Sequence, residues 1–354
     1  MEGATSTLDA PTVGAVDTTS QLADILALPE QLRDAAWKVE SAGIAPFDAP
    51  GGLIVAGMGG SAIGGLLARS ALGDRASRPI GVARGYELPA WATPDTAVLC
   101  SSYSGETEET LACYEAAGAL GAPRIVATTG GRLAELARAD GVPIIPVAGG
   151  YQPRAAVAYM TVAALEVAAL SGAAPSVRSE VDVAAAHAEE LVAEWGTDGP
   201  EDSEAKSLAR DLAGAVPLIA GCGLTAPVAY RWKTQLNENA KLHAFAHELP
   251  ELDHNELVGW TAPQDGVPFA AVFLDDAYLH PRARRRIELT CELIDPAAAV
   301  TRVVTSRGET PTERVVSLVL LGDLVSLYVA VLRGVDPGPV ELIDRLKAEL
   351  ADSQ

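Results

Sequence analysis

Two turns rich in glycine and serine carry the groups that could bind a phosphate. The apolar run Leu53–Ala56 enters the segment Gly57-Met-Gly-Gly-Ser-Ala-Ile-Gly-Gly65, and the run Thr96–Cys100 enters Ser101-Ser-Tyr-Ser-Gly-Glu-Thr-Glu-Glu-Thr110. A strand that ends in a turn and continues as a helix presents free backbone N–H groups and the positive end of the helix dipole, and nearby hydroxyl groups add donors. Glycines let the backbone approach an anion closely. The sequence therefore predicts a phosphate site built from both turns.

The overall charge restricts how such a site can work. The chain of 354 residues has 47 Asp and Glu against 26 Lys and Arg, a net charge of −21. This charge repels nucleic acid and anionic membranes, so we expect neither as a partner, and it also repels a phosphate ligand at long range. The phosphate must therefore be bound by local donors such as hydroxyl groups and helix N-termini.

Cysteine usage and hydropathy indicate the compartment. Cys100, Cys113, Cys222 and Cys291 form no CxxC pair and have no metal-ligand spacing. The first residues lack the basic and apolar regions of a signal peptide, and no uninterrupted apolar run reaches membrane-spanning length. We expect a reduced, cytoplasmic protein without a metal or another cofactor.

The first half of the chain alternates short β-like runs with helical stretches, which is typical of βαβ units around a parallel sheet. A helix predicted from Pro153 to about residue 170, with Gly172 as its stop, closes this half. The β-like runs are residues 53–56, 80–83, 97–100, 124–128 and 142–147.

The second half repeats this pattern. The run Val216–Thr225 ends in a glycine turn and leads into a helix predicted from Pro227 to about Glu238, and β-like runs at 269–274 and 299–304 precede an apolar helix over 313–332. We predict an α/β fold of two tandem doubly wound parallel-sheet modules, produced by duplication. The predicted parts are a mobile tail (1–18), a first domain with a leading helix (19–173), a helical and acidic linker (174–207) and a second domain (208–354).

Both halves resemble the sugar isomerase, or SIS, domain, and the combined motifs resemble the bifunctional phosphoglucose/phosphomannose isomerases. This resemblance implies an aldose–ketose isomerase for glucose 6-phosphate and mannose 6-phosphate, with fructose 6-phosphate as the shared ketose. It also implies a homodimer whose active sites lie at the subunit interface. The matching segments, in the order of the family, are Gly57–Ser61, Ser102–Thr107, Ala127–Gly131, Pro153–Arg154, Asn237–Lys241 and Glu248–Glu256.

The resemblance assigns the phosphate to backbone and hydroxyl groups of the two turns. The residues at the family's phosphate-binding positions are Gly60, Ser61, Ser102, Ser104 and Thr107. An alternative is that Ser104 and Thr107 only cap the helix that follows. Glu106 stands where the family often has asparagine, and its charge should weaken phosphate binding unless the side chain points to solvent.

The resemblance also assigns the residues that carry the chemistry. Glu238 matches the catalytic glutamate, which moves a proton between C1 and C2 of the open-chain sugar through an enediol. Arg154 matches the arginine that stabilises the negative charge developing on the enediolate. The alternatives are an ordinary surface carboxylate and an arginine in the first turn of a helix.

Ring opening needs an acid and a base, and histidine titrates in the useful range. His254 matches the family's ring-opening residue, which reaches the active site from the partner subunit. A loop histidine bonded to a neighbouring carboxylate is the alternative, and His243 and His247 are the nearest competitors. Lys347 stands where the family places a lysine that contacts the substrate, although it could equally be a solvated residue of a terminal helix.

Three other functions fit the sequence less well. A sugar-phosphate sensor should carry a basic DNA-binding region and lack the glutamate and histidine of the isomerases, whereas Glu238 and His254 are both present. An aminosugar synthase needs a cysteine nucleophile at its start, where this chain begins Met1-Glu2. A dinucleotide-dependent oxidoreductase needs GxGxxG and a ribose-binding carboxylate, and neither follows Leu53–Ala56.

Overall fold

The computed structural model describes residues 7–262 and 266–351, which form two parallel sheets surrounded by helices. The first part contains strands β1 to β5, which are Leu53–Ala56, Ile80–Ala83, Ala97–Ser101, Arg124–Thr128 and Ile144–Pro146. Its helices, α1 to α8, are Ala10–Gly14, Gln21–Leu26, Leu28–Ser41, Gly59–Leu72, Glu108–Leu120, Gly131–Asp140, Val157–Leu170 and Arg178–Trp195.

The second part contains strands β6 to β9, which are Val216–Cys222, Phe245–Leu249, Phe269–Asp275 and Val300–Thr305. Its helices, α9 to α13, are Glu204–Leu212, Ala226–Glu238, Pro281–Ile294, Pro311–Leu332 and Glu341–Ala351. Short 3₁₀ turns lie at Gly73–Arg75, Pro153–Ala156, Gly223–Thr225, Glu251–His254 and Glu256–Thr261.

The first sheet has the order β2-β1-β3-β4-β5, with all neighbouring strands parallel. Strands β1 and β3 are buried at every residue, as expected for strands covered by helices on both faces. In such a sheet the strand order reverses direction between β1 and β3, and ligands bind beyond the carboxyl ends of the strands at that point. Both predicted phosphate turns follow these two strands.

The second sheet, β7-β6-β8-β9, is also parallel and repeats the order of the first four strands of the first sheet. The predicted α/β fold of two parallel-sheet modules is confirmed. Strand β7 was not predicted. It lies at the sheet edge, and its exposed Phe245 and Glu248 interrupt the apolar pattern that marks a buried strand.

Helix α12 joins the two modules. Every residue from Thr312 to Val331 is buried, and the helix packs against α4, α8, α9 and α10. The windows Pro153–Leu170 and Pro311–Leu332 are long and apolar enough to cross a membrane, but 78% and 94% of their residues are buried inside the protein. Helices of this kind are common in protein cores, so these two are weak evidence for a membrane span.

The prediction of a mobile tail over 1–18 is wrong for residues 7–18, and residues 1–6 lie outside the described residues. Leu8 and Val13 are buried in the core, and Asp9 caps helix α1 by accepting a hydrogen bond from the N–H of Thr12 at 2.9 Å. The backbone N–H of Leu8 donates to Glu201 at 3.2 Å. These contacts hold a segment that composition alone predicts to be disordered.

The acidic segment 174–207 is also packed. Helix α8 buries one face against α3 and α12, ending at the fully buried Trp195. The buried Lys206 donates to the carbonyls of Thr197 and Gly199 at 3.1 and 2.8 Å and contacts Glu201 at 3.1 Å. The charged side chains of this segment therefore lie on the outer face of α8 and around Lys206.

The buried carboxyl of Glu166 on α7 makes the stability of the fold depend on pH. Its Oε1 atom is buried without a hydrogen-bond partner, and burial raises the pKa of its carboxyl, with the charge of Arg178 acting in the opposite direction. Because the folded protein binds this proton more tightly than the unfolded chain, the associated stability is present at acidic pH and is lost as pH rises through the folded pKa.

We therefore expect Glu166→Gln to raise the thermal unfolding midpoint by roughly 1–3 °C at pH 8 and to leave it nearly unchanged near pH 4. Circular dichroism melts at the two pH values measure this difference. The same substitution at the exposed Glu115 is the control. Equal shifts for Glu166→Gln at both pH values would contradict the explanation.

Candidate functional site

The two phosphate turns meet at the carboxyl ends of β1 and β3. Ala56 lies opposite Cys100 in the parallel register, so Gly57 and Ser101 follow side by side. A Cβ on Gly57 would lie 2.8 Å from the Ser101 carbonyl oxygen, which explains the glycine. Ser61 is buried in the first turn of α4, where helix N–H groups point towards the turn. The structure therefore brings both predicted turns to one place.

The second turn is shaped by its own hydroxyl groups. The Ser102 and Thr107 hydroxyl oxygens lie 2.9 Å apart, and Ser102 Oγ accepts the N–H of Gly105 at 3.0 Å. The exposed Ser104 accepts the N–H of Glu106 at 3.2 Å. Thr107 occupies the N-cap position of α5 but makes no side-chain capping bond. The alternative that Thr107 serves only as a helix cap is therefore not supported, and the N-terminal N–H groups of α5 keep no side-chain cap.

The Glu106 side chain bonds to the start of the helix that follows β4. Its Oε1 accepts the backbone N–H of Arg132 at 2.7 Å, in the first turn of α6. The positive end of that helix dipole stabilises the carboxylate. The backbone beneath it needs Gly105, since a Cβ there would lie 1.9 Å from the Gly130 carbonyl oxygen. Glu106, which stands where the family often has asparagine, therefore links the loop after β3 to the loop after β4.

Arg154 reaches the first turn because Gly60 has no side chain. A Cβ at Gly60 would lie 2.8 Å from the carbonyl oxygen of Pro153. The helix predicted from Pro153 begins as a 3₁₀ turn, Pro153–Ala156, and becomes α-helical at Val157. This tight turn sits directly against the phosphate turn.

The Arg154 side chain is almost fully enclosed, with 4% of its surface exposed. Its Nε donates to Asn239 Oδ1 at 2.7 Å, and its Nη2 donates to the carbonyls of Pro337 and Gly338 at 2.7 and 3.1 Å. Its Nη1 lies 3.6 Å from Glu238 Oε2. Burial lowers the pKa of Arg154, and Glu238 acts against that effect. An arginine remains protonated under such conditions, so Arg154 is a fixed positive charge.

Glu238 is the last residue of α10, and its side chain is 31% exposed. Lys241 lies just beyond, with a backbone φ of 49° in the left-handed region. Its Nζ donates to the carbonyls of Glu238 and Pro337 at 2.7 and 3.0 Å. Burial lowers the pKa of Lys241, and the charge of Arg154 adds to this. The carboxylate of Glu238 therefore lies beside two cationic groups, Arg154 and Lys241.

A buried ion pair supports this arrangement from behind. Arg231 on α10 donates to both carboxylate oxygens of Asp323 on α12, at 3.0 and 2.6 Å, and to the carbonyl of Arg154 at 3.0 Å. Asn239 donates from Nδ2 to Ser326 at 2.9 Å. Helix α12 therefore fixes both Arg154 and the end of α10.

Arg154, Arg231 and Glu238 line one cleft between the first turn of α4 and helix α10. Arg84 follows β2 at the same sheet edge, and its guanidinium lies 5.4 Å from the centre of the Tyr230 ring. The cleft supplies the local positive charge that a phosphate needs in a chain with net charge −21. Its lining residues are Met58, Gly59, Gly60, Ala62, Ile63, Arg84, Arg154, Tyr230, Arg231, Thr234, Gln235 and Glu238.

The other predicted residues lie outside this cleft. His254 ends a 3₁₀ turn after β7 and is exposed, and it is not among the residues that line the cleft. His247 pairs with Glu256, and His243 is exposed. Lys347 lies on α13, whose residues 341–350 are all exposed. Of the predicted site residues, Gly60, Arg154 and Glu238 line this cleft. The predicted residues that do not line it are Ser61, Ser102, Ser104, Thr107, His254 and Lys347.

Sequence reasoning missed several residues of the site. Asn239 and Lys241 lie in the motif around Glu238, and that proximity was the only signal for them. Arg231 and Asp323 are separated by more than 90 positions, so nothing in the sequence pairs them. Among residues 7–262 and 266–351, no group of three or more His, Cys, Asp or Glu side chains is arranged to hold a metal ion.

The second half of the chain matches a known protein family. Residues 201–350 match the model for the bacterial phospho-glucose isomerase C-terminal SIS domain. A bifunctional phosphoglucose/phosphomannose isomerase of Caldicellulosiruptor bescii is 39% identical over 85% of this chain and 89% of its own length. The protein of the same name from Aquifex aeolicus is 33% identical over 89% of this chain and 94% of its own length.

Solved structures share the fold at low sequence identity. A glucose-6-phosphate isomerase like protein from Thermus thermophilus superposes with a TM-score of 0.62 at 21% identity, covering 96% of this chain and 98% of its own. The tagatose-6-phosphate ketose/aldose isomerase from Escherichia coli gives 0.67 at 15% identity, with 90% and 95% coverage. These likenesses establish the SIS fold of the chain.

Proposed function

The chain belongs to the family of bifunctional phosphoglucose/phosphomannose isomerases, and from that premise we propose that it interconverts glucose 6-phosphate and mannose 6-phosphate with fructose 6-phosphate. Family membership makes it an aldose–ketose isomerase of phosphorylated hexoses. The two aldoses differ only in configuration at C2 and share one enediol, so one pocket that accepts both configurations serves both reactions.

One observation carries the proposal: a single cleft holds Glu238, the Arg154 guanidinium 3.6 Å away and the glycines of the first turn. The phosphate binds to N–H and hydroxyl groups of the two turns. Glu238 removes the proton from C2 of the open-chain aldose, and the C2–H electron pair forms the enediolate. Arg154 stabilises the negative charge on O1 of the enediolate. The proton of the C2 hydroxyl then moves to O1, which places the charge on O2, and Glu238 returns its proton to C1 as the C2 carbonyl of the ketose forms.

The proposed functional unit is a homodimer, in which the partner subunit's His254 opens the sugar ring. In one chain His254 is exposed and does not line the cleft that contains Glu238. A second, larger groove joins Glu238 and Lys241 to the start of α13. Helix α13 exposes Leu342, Leu346 and Leu350, spaced four residues apart on one face. An apolar helix face beside an incomplete site supports a second subunit there.

Mixed dimers test the shared site. We expect His254→Ala and Glu238→Gln each to be nearly inactive alone, and co-expression to restore about a quarter of wild-type activity. In a random mixture half of the dimers are mixed, and each of these has one intact site of two. Measuring fructose 6-phosphate turnover of the purified mixture, with the oligomeric state determined by light scattering, checks this expectation. A fully active monomer, or no recovery in proven mixed dimers, would contradict the shared site.

The activity itself is tested with the purified full chain and fructose 6-phosphate in the presence of EDTA. Glucose 6-phosphate and mannose 6-phosphate are measured separately. We expect both products. Formation of one aldose alone would remove the dual specificity from the proposal, whereas binding without any turnover would favour a sugar-phosphate sensor.

A further inference from the structure

The segment that follows α12 crosses the side of the cleft that carries Arg154. Pro337 and Gly338 are buried, and their carbonyl oxygens accept both hydrogen bonds from Arg154 Nη2. The Pro337 carbonyl also accepts the bond from Lys241. With Nε bonded to Asn239, only Nη1 of Arg154 is left to face Glu238 and the cleft. The backbone of this segment therefore sets the orientation of the guanidinium.

Asp336 shapes that segment. Its Oδ1 accepts the backbone N–H of Gly338 at 2.9 Å, which folds residues 336–338 into a tight turn. Its Oδ2 accepts the hydroxyl of Thr18 at 2.5 Å, more than 300 positions away in the chain. Gly338 packs against Thr19, the residue after Thr18, since a Cβ at position 338 would lie 2.2 Å from Thr19 Oγ1. The start of the described chain thus holds the turn on its outer side.

The charge of Asp336 is retained in this environment. Burial acts to raise its pKa, but hydrogen bonds from Thr18 and from the Gly338 N–H outweigh that effect and lower the pKa below its ordinary value. A carboxylate that accepts two hydrogen bonds in fixed directions holds its neighbours more firmly than a neutral acceptor.

We propose that Asp336 is a positioning residue for isomerisation, which holds the carbonyls of Pro337 and Gly338 where they orient Arg154. Asp336 makes no contact with the substrate in this account, and its role rests on the part given to Arg154 in the proposed function. When the turn is released, Arg154 loses the two acceptors of Nη2. Its guanidinium then turns towards Glu238, which weakens both the stabilisation of the enediolate and the action of the base.

The expected signature is a loss of kcat without a matching change in KM, because the phosphate turns follow β1 and β3, whereas residues 336–338 follow α12. We expect Asp336→Ala to lower kcat about tenfold to fiftyfold and to change KM for fructose 6-phosphate by less than about threefold. Asp336→Asn keeps one acceptor for the Gly338 N–H and is expected to restore most of the loss. Asp295→Ala, which removes an exposed carboxylate at the end of α11, is the matched control.

A double-mutant cycle shows whether Asp336 acts through Arg154. In an Arg154→Gln background, Asp336→Ala is expected to lower kcat by less than about twofold, because the group that it positions is gone. The same tenfold loss in both backgrounds would overturn the proposal, as would an unchanged kcat in the single variant. If Asp336→Ala does not fold, Thr18→Val removes one of the two hydrogen bonds, and its smaller loss must vanish in the same background.

Failure of this inference is distinguishable from failure of the proposed function. If the proposed function is wrong, the wild-type chain shows no turnover of fructose 6-phosphate. If only the role of Asp336 is wrong, the wild-type chain turns over and Asp336→Ala matches it.

Discussion

Replacing Glu238 with glutamine is expected to lower kcat for fructose 6-phosphate isomerisation by about 10²–10⁴-fold, the usual contribution of a positioned general base. Glutamine has nearly the same size, but it cannot accept the proton that must move between C1 and C2. The phosphate turns end β1 and β3, whereas Glu238 ends α10. Substrate binding should therefore be retained, with KM changed by no more than a few fold.

The measurement compares kcat and KM of wild type and Glu238→Gln, with binding checked by calorimetry under conditions of no turnover. Glu135→Gln, a substitution of an exposed glutamate on α6, controls for the general loss of one negative charge. Wild-type rates in Glu238→Gln would remove this residue from the mechanism. Loss of binding as well as rate would assign it a role in holding the substrate.

Arg154→Gln is expected to lower kcat by about 10²–10³-fold, as the loss of a fixed charge at a developing oxyanion does. The charge is held 3.6 Å from Glu238 and is oriented by three further hydrogen bonds. Arg154→Lys should recover little, because an ammonium group cannot make bonds to Asn239, Pro337 and Gly338 in the planar geometry of a guanidinium.

Steady-state kinetics of both Arg154 variants test this expectation, and thermal melts establish that each variant is folded at the assay temperature. The same replacement at the exposed Arg138 on α6 is the control. A lysine variant with full activity would show that charge alone suffices and that the hydrogen-bond geometry around Arg154 is unimportant.

Most of the fold could be predicted from local sequence patterns. Strands covered on both faces must be apolar throughout, so β1, β3, β4 and β8 were visible as short apolar runs between turns. Strand β7 escaped because one of its sides has no neighbouring strand and its side chains are partly exposed. Helix α1 escaped because its order depends on contacts of Leu8 and Val13 with residues far along the chain.

The site was predictable where chemistry and neighbouring residues coincide. The two phosphate turns followed from glycine and hydroxyl residues after strands, and Glu238 and Arg154 followed from family resemblance. The supporting residues could not be predicted, because a local sequence pattern does not indicate contacts between distant positions. Asp323 bonds to Arg231, about 90 positions away, and Asp336 bonds to Thr18, about 320 positions away. Glu106 needed the structure as well, because its partner is the N-terminus of another helix.

In the proposed mechanism Glu238 isomerises a sugar phosphate by moving a proton through an enediol. Equilibration of fructose 6-phosphate by the wild-type chain in D₂O tests it most directly, because a proton held on a carboxyl group exchanges with solvent. Deuterium is expected to accumulate at C2 of the aldose product over repeated turnover, and Glu238→Gln is expected to introduce none over the same period. Aldose product that forms at normal rates and keeps only protium at C2 would exclude proton transfer by an exchanging carboxyl group.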